Sequence, residues 1–190
     1  LNFLTTHWQE ISERYRDEIL DGVATHLAYL YGNLRSDNDW KPIEKSDPKI
    51  LTNLTLEELE RHPAYWRHRR SAAKILQAAS HVVQDEQNTQ QLSFLAIGFA
   101  DLKSESTISG DGVDLYSKAI NMVTGNVAEA LITLANKFLE KEQPFPELLI
   151  PALMRFAKHE NPAVRALLLE HLPFLQSKNP ELGWKLFDEL

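Results

Sequence analysis

The sequence predicts an all-α protein, built from antiparallel helical hairpins stacked as a short α-solenoid, with a less regular helical portion on its N-terminal side. Three observations point there. Apolar residues recur at steps of three and four along most of the chain, the period that lines one face of a helix. Helix-favouring Leu, Ala, Glu and Lys are abundant, while seven glycines and nine prolines are too few for a linker-rich or many-turned β protein. Finally Pro146, Pro162 and Pro180 stand 16 and 18 residues apart, each where a helix would begin, which leaves room for three to four turns and a tight connection. At 190 residues and 43% hydrophobic, the chain is long enough to bury a core.

Taken in order, Ile11, Tyr15, Ile19, Val23, Leu27, Leu30 and Leu34 mark one face of a long first helix running from about Trp8, with Thr6 as its N-cap. Gly22 falls inside it and predicts a kink, a close crossing or a division. Ser36, Asp37, Asn38, Asp39, Pro42 and Pro48 make residues 35–48 a loop. Thr55 with Glu58 fits a capping box, so a short helix should open there and end or bend at Pro63. A stronger helix is expected from about Ala64 to Val83, carrying Trp66, Ala73, Leu76, Ala79 and Val83 on one side, and another from about Asn88 through Leu102.

Residues 1–103 thus form the N-terminal helical portion, and 104–112, ending in Ser109-Gly110-Asp111-Gly112, an exposed loop. Residues 113–190 carry the regular pattern. Leu115, Ala119 and Met122 define one short helix, Gly125-Asn126 a turn, and Val127, Leu131, Leu134 and Phe138 the partner of a hairpin. Asn161 and Asn179 precede two of the helix-opening prolines and suit N-caps. Val164, Leu168, Leu172 and Leu175 form a buried stripe, faced by Phe145, Leu149, Leu153 and Phe156. Leu182, Leu186, Phe187 and Leu190 extend the stack, and the open start and end read as an internal fragment of a larger protein.

Residues 146–178 resemble a HEAT repeat: Pro151 stands in the first helix, Glu160-Asn161-Pro162 forms the turn, and Val164-Arg165 opens the second helix. Asn161 replaces the aspartate common in that turn. The resemblance is looser over 113–142 and slight before that. It implies helical hairpins that bury their apolar surface by stacking on neighbours. Asp114 to Gly125, followed by Ala128 to Leu131, is similar to the stretch that introduces HEAT-like repeats in large prokaryotic NTPases of the STAND or NACHT-like kind. That likeness implies an ATPase switch module ahead of a sensing helical array. Because no phosphate-binding Gly-x-x-x-x-Gly-Lys-Ser/Thr loop occurs here, any catalytic module is expected outside this chain.

A net charge of −7 argues against general affinity for nucleic acid, and the absence of cysteine removes disulfides, thiolate nucleophiles and Cys-ligated metal. No apolar run approaches the roughly 18 residues of a membrane span, and no signal peptide opens the chain, so it reads as cytoplasmic. The seven histidines form no His-Glu-x-x-His pair, and neither Asp37-Asn38-Asp39 nor Asp111 to Asp114 completes a calcium loop. No cofactor, metal or catalytic residue is expected.

One polar cluster stands out. Trp66, Arg67, Arg70 and Lys74, with Tyr65, His68 and Arg69, put arginine beside aromatics, a combination suited to phosphate contact and base stacking, and a helix would align Arg67, Arg70 and Lys74. Its bland reading is a solvated or salt-bridged face. Some HEAT-like proteins are DNA glycosylases, a likeness that would cast Trp66, Arg70 and Asp101 as aromatic, base and acid against the chain's net acidity. The preferred expectation is a non-catalytic scaffold or sensor segment that contacts protein, such as other domains of its own parent chain; nucleic-acid or phosphate binding through 65–74 is the alternative.

Overall fold

An aspartate or asparagine side chain opens helix after helix. The computed structural model describes residues 1–30, 47–83, 85–102 and 114–190; among them the chain is helical and contains no strand. α1 spans Asn2–Thr6 and α2 spans Glu13–Leu30. Asp47 then caps α3 (Pro48–Arg61), accepting from the N–H groups of Lys49 at 2.8 Å and Ile50 at 3.3 Å, with proline at the first helical position where no N–H is needed. α4 (Pro63–Trp66) and α5 (Arg70–Ser80) follow. Asp85 caps α6 (Glu86–Ala100), and Asp114 caps α7 (Leu115–Ala119). After α8 (Val123–Glu140) and α9 (Leu149–Ala157), Asn161 and Asn179 cap α10 (Pro162–Lys178) and α11 (Pro180–Phe187).

Packing joins these helices in two successions. α2 lies on α5, α5 on α8 and α8 on α10; α3 lies on α6, α6 on α9 and α9 on α11. Neighbours in sequence, α2 with α3, α5 with α6, α8 with α9 and α10 with α11, tie the two together. Cross-helix bonds climb in the same sense on both partners: Asp17 meets Ser71 and Asp21 meets Lys74, while Asn53 meets Asn88 and Glu60 meets Gln91. α2 and α5, and likewise α3 and α6, therefore run parallel. Leu27, Leu56, Ile75, Leu92, Leu131 and Phe156 belong to one continuous apolar core that crosses the connection between α6 and α7.

Two glycines let helices touch backbone to backbone. A Cβ on Gly125 would sit 1.9 Å from the carbonyl oxygen of Ala119, and one on Gly183 would sit 2.6 Å from the Cα of Gln176. Arg165 braces the turn before α10, its guanidinium donating to the carbonyls of His159 at 2.6 Å and Glu160 at 3.2 Å. Val164 beside it is fully buried.

Several sequence expectations are corrected. Thr6 ends α1 instead of capping a long helix; a turn over residues 7–12 intervenes, and the buried line of α2 is Leu20, Ala24 and Leu27, with Tyr15 exposed. Gly22 lies within uninterrupted α2. Thr55 and Glu58 are mid-helix and buried, because Asp47-Pro48 starts α3 two turns earlier; the Thr55 hydroxyl donates to the Leu51 carbonyl, and Glu58 accepts from Thr5 at 2.9 Å. Arg69, extended at φ −97° and ψ 130°, divides the helix expected over 64–83. Gly125 and Asn126 lie inside α8, since the turn falls at Ile120 to Met122. Pro146 opens a turn whose carbonyl receives the N–H of Leu149, the first residue of α9. Most of the 35–48 loop and all of the 104–112 loop lie outside the described residues. No helix among the described residues is long and apolar enough to cross a membrane.

Candidate functional site

The sequence's basic and aromatic cluster is parted by the turn between α4 and α5. Trp66, at the end of α4, is 1% exposed, its ring edge-on to Trp8 at 5.6 Å and to Tyr65 at 4.7 Å. Arg67 follows it in the turn and Arg70 opens α5; both are exposed, and neither side chain makes an ion pair or hydrogen bond among the described residues. Lys74 is bonded to Asp21 of α2 at 2.5 Å. The expected common face of Arg67, Arg70 and Lys74 therefore does not form, because extended Arg69 breaks the helical register between the first two.

Around Trp66 the chain builds a knot that periodicity did not indicate. Trp8 stacks on His62 with ring centroids 3.7 Å apart and planes 8° from parallel. The Arg16 guanidinium lies 4.1 Å over Trp8 and donates to the Trp8 carbonyl at 2.6 Å. Arg69 lies 4.5 Å over Tyr65 while donating to Glu13 at 2.8 Å and Asp17 at 3.1 Å. The hydrogen bond Arg69 donates to Glu13 is the main cause of the raised pKa of Arg69, and burial is the main cause of the raised pKa of Tyr65. Asp17 also accepts from the Ser71 hydroxyl at the start of α5, a helix whose own N-cap residue supplies no side-chain bond. These partners stand more than 50 residues apart in sequence, so no local pattern links them.

On the other side of Trp66 is a cavity of about 310 Å³ between α3, α4 and α6. Leu59, Trp66, Leu95 and Phe99 form its buried wall; Arg67, Phe94 and Asp101 stand at its edge. The structure thus brings Trp66 and Asp101 together but leaves Arg70 out of the lining. Asp101 is engaged by Arg155 of α9, which bonds it through Nε at 2.9 Å and through Nη2. A wider cleft of about 660 Å³ lies at the α8–α9 connection, walled by Phe138, Pro144, Phe145 and Leu148 with Glu86 and Glu147.

Polar groups on the α2–α5–α8–α10 succession answer one another across seams. Gln77 donates to Glu129 at 2.7 Å; burial raises the Glu129 pKa, with His171 opposing. Lys137 donates to the His81 carbonyl, and burial lowers its pKa to about 8, with Lys141 pushing the same way. Burial first, and Lys137 second, lowers that of His81. His159 is lowered chiefly by burial, and its Nδ1 receives the Asn161 N–H at 3.0 Å, so that nitrogen is the unprotonated one. Among the described residues no group of three or more His, Asp or Glu is placed to hold a metal ion. Compared with known proteins, the chain matches no family model, no curated protein and no solved structure.

Proposed function

We propose that this chain is a non-catalytic helical-repeat segment, arranged as a HEAT-like α-solenoid, that serves as a scaffold or sensor by binding protein. The observation that carries the reading is the unequal covering of the last helix. Trp184 and Phe187 on α11 are 59% and 49% exposed with ring centroids 5.7 Å apart, although Leu182 and Leu186 of the same helix are buried. Large apolar side chains gathered on one element mark surfaces that another protein covers. The two successions of helices, in which each pair leans on the next, support the solenoid arrangement. The nucleic-acid alternative loses its stacking residue in buried Trp66 and one of its cations in the Lys74–Asp21 pair.

A photo-reactive amino acid replacing Phe187 in the native host, with the same probe at exposed polar Glu57 as control, tests the reading. Protein adducts at 187 that vanish with Trp184→Asp are the expected outcome. Adduct yields no higher at 187 than at 57 would refute it.

A further inference from the structure

Lys74, at the cavity between α2 and α5, is bonded to Asp21; Arg67, at the cavity between α3, α4 and α6, has no such partner among the described residues. Its guanidinium stands at the edge of the α3–α4–α6 cavity, and its Nε lies 3.6 Å from where a Cβ on Gly98 would be, so the side chain runs across the bare backbone of α6. Asp101, the acid on the same edge, is bonded through Oδ1 by both Nε and Nη2 of Arg155 and makes no ion pair with Arg67. Beside Arg67, Phe94 is 65% exposed, the most exposed of the chain's large apolar side chains among the described residues. Below them the wall is apolar, and Trp66 is its largest member.

We infer that this cavity binds an acidic linear peptide, with one bulky apolar side chain seated between Trp66 and Phe94 and an adjacent carboxylate bonded to Arg67. The cavity, about 310 Å³, is at the small end of the range for ligand sites and takes one large side chain, not a folded surface. Arginine's planar fork matches a carboxylate through two parallel bonds, and its charge is the one the site leaves unanswered. A nucleic acid fits less well. Trp8 and Tyr65 close around the Trp66 ring, and one arginine releases too few counterions to hold a polyanion beside Asp101 in a chain of net charge −7. This site is separate from the exposed apolar surface of α11, and its test separates the two.

The experiment is a selection of random peptides on display against the full chain, followed by fluorescence anisotropy with the enriched peptide and with a labelled single-stranded oligonucleotide. Enriched sequences should place Phe, Trp, Leu or Met next to Asp or Glu. Arg67→Glu and Phe94→Ser, both at exposed positions and both checked for unchanged circular dichroism, should each weaken binding about tenfold or more. Arg67→Lys should keep part of the affinity, and Trp184→Asp should leave it unaltered. Enrichment of basic peptides, no enrichment, binding indifferent to both cavity variants, or oligonucleotide binding that is lost with Arg67→Glu would each overturn the inference. Loss with Trp184→Asp alone would also overturn it, while supporting the surface of the last helix.

Discussion

The corner where α1 and α2 meet α4 and α5 and the stack of α8 to α11 are held by different means. In the corner, charges and rings interlock: Arg16 on Trp8, Trp8 on His62, and Arg69 among Tyr65, Glu13 and Asp17. In the stack, cohesion comes from fully buried Leu131, Leu149, Leu153, Phe156, Val164 and Leu175, with Asn161 and Asn179 capping the helix starts. Apolar packing at near-crystal density tolerates no added volume, whereas a half-exposed ionic corner loses its bonds one at a time. The two regions should therefore fail differently.

The largest effect is expected at Gly125. In an open helix interior, replacing glycine by alanine stabilises by about 1 kcal/mol. Here the new methyl would meet the Ala119 carbonyl oxygen at 1.9 Å and its carbon at 2.6 Å, backbone atoms that no rotamer change can move. The clash wins, and Gly125→Ala should destabilise the chain by about 3 kcal/mol, the upper part of the range for overpacking. Urea unfolding measures this. A midpoint at or above that of the parent chain would mean that α7 can withdraw from α8 without loss, and that the stack is looser than its buried residues imply.

A smaller and more local effect is expected at Asp17. Its carboxylate receives Arg69 and the Ser71 hydroxyl, and Ser71 is buried at the uncapped start of α5. Asp17→Ala should cost about 1–2 kcal/mol, the range of a lost N-cap with a stranded donor. Amide hydrogen exchange should quicken in α1, α2 and the first turn of α5, and stay unchanged in α9 to α11, because the two regions open separately. Uniform quickening along the chain would show one cooperative unit and erase the contrast.

The same contrast decides what was legible in the sequence. Where neighbours in sequence settle the structure, reading succeeded: Asn161-Pro162 and Asn179-Pro180 begin helices, and Val164, Leu168, Leu172 and Leu175 are buried. It went astray where distant residues settle it. Thr55 and Glu58 have the spacing of a capping box, yet Glu58 is buried against Thr5, 53 residues away. Gly125-Asn126 has turn chemistry, but Gly125 is there so that α7 can touch α8. At the candidate site, Trp66 and Arg67 were recognisable as an aromatic beside a cation. That α6 would bring Phe94 and Gly98 to them depends on a helix–helix contact that no spacing encodes.

The stop of α8 shows how a helix end can be well made without a sequence signal, and it yields the smallest of the expected effects. The N–H of Gln143 reaches the Phe138 carbonyl at 3.0 Å and the N–H of Glu142 reaches that of Leu139 at 3.2 Å, the paired bonds of a Schellman ending. The residue that must turn left-handed for this is Glu142, at φ 53°, where glycine is usual. Its side chain is exposed and has no hydrogen bond or ion pair among the described residues to offset the steric cost. Relief of that cost, about 1–2 kcal/mol, exceeds the extra chain entropy a glycine loses on folding, about 0.4–1 kcal/mol. Glu142→Gly should accordingly stabilise the chain by about 0.5–1 kcal/mol and raise Tm by about 1–4 °C for a chain of this size. A lower Tm would mean that the local ending of α8 is less settled than its bonds indicate, and that the stack, like the corner, relies on contacts beyond its own sequence neighbourhood.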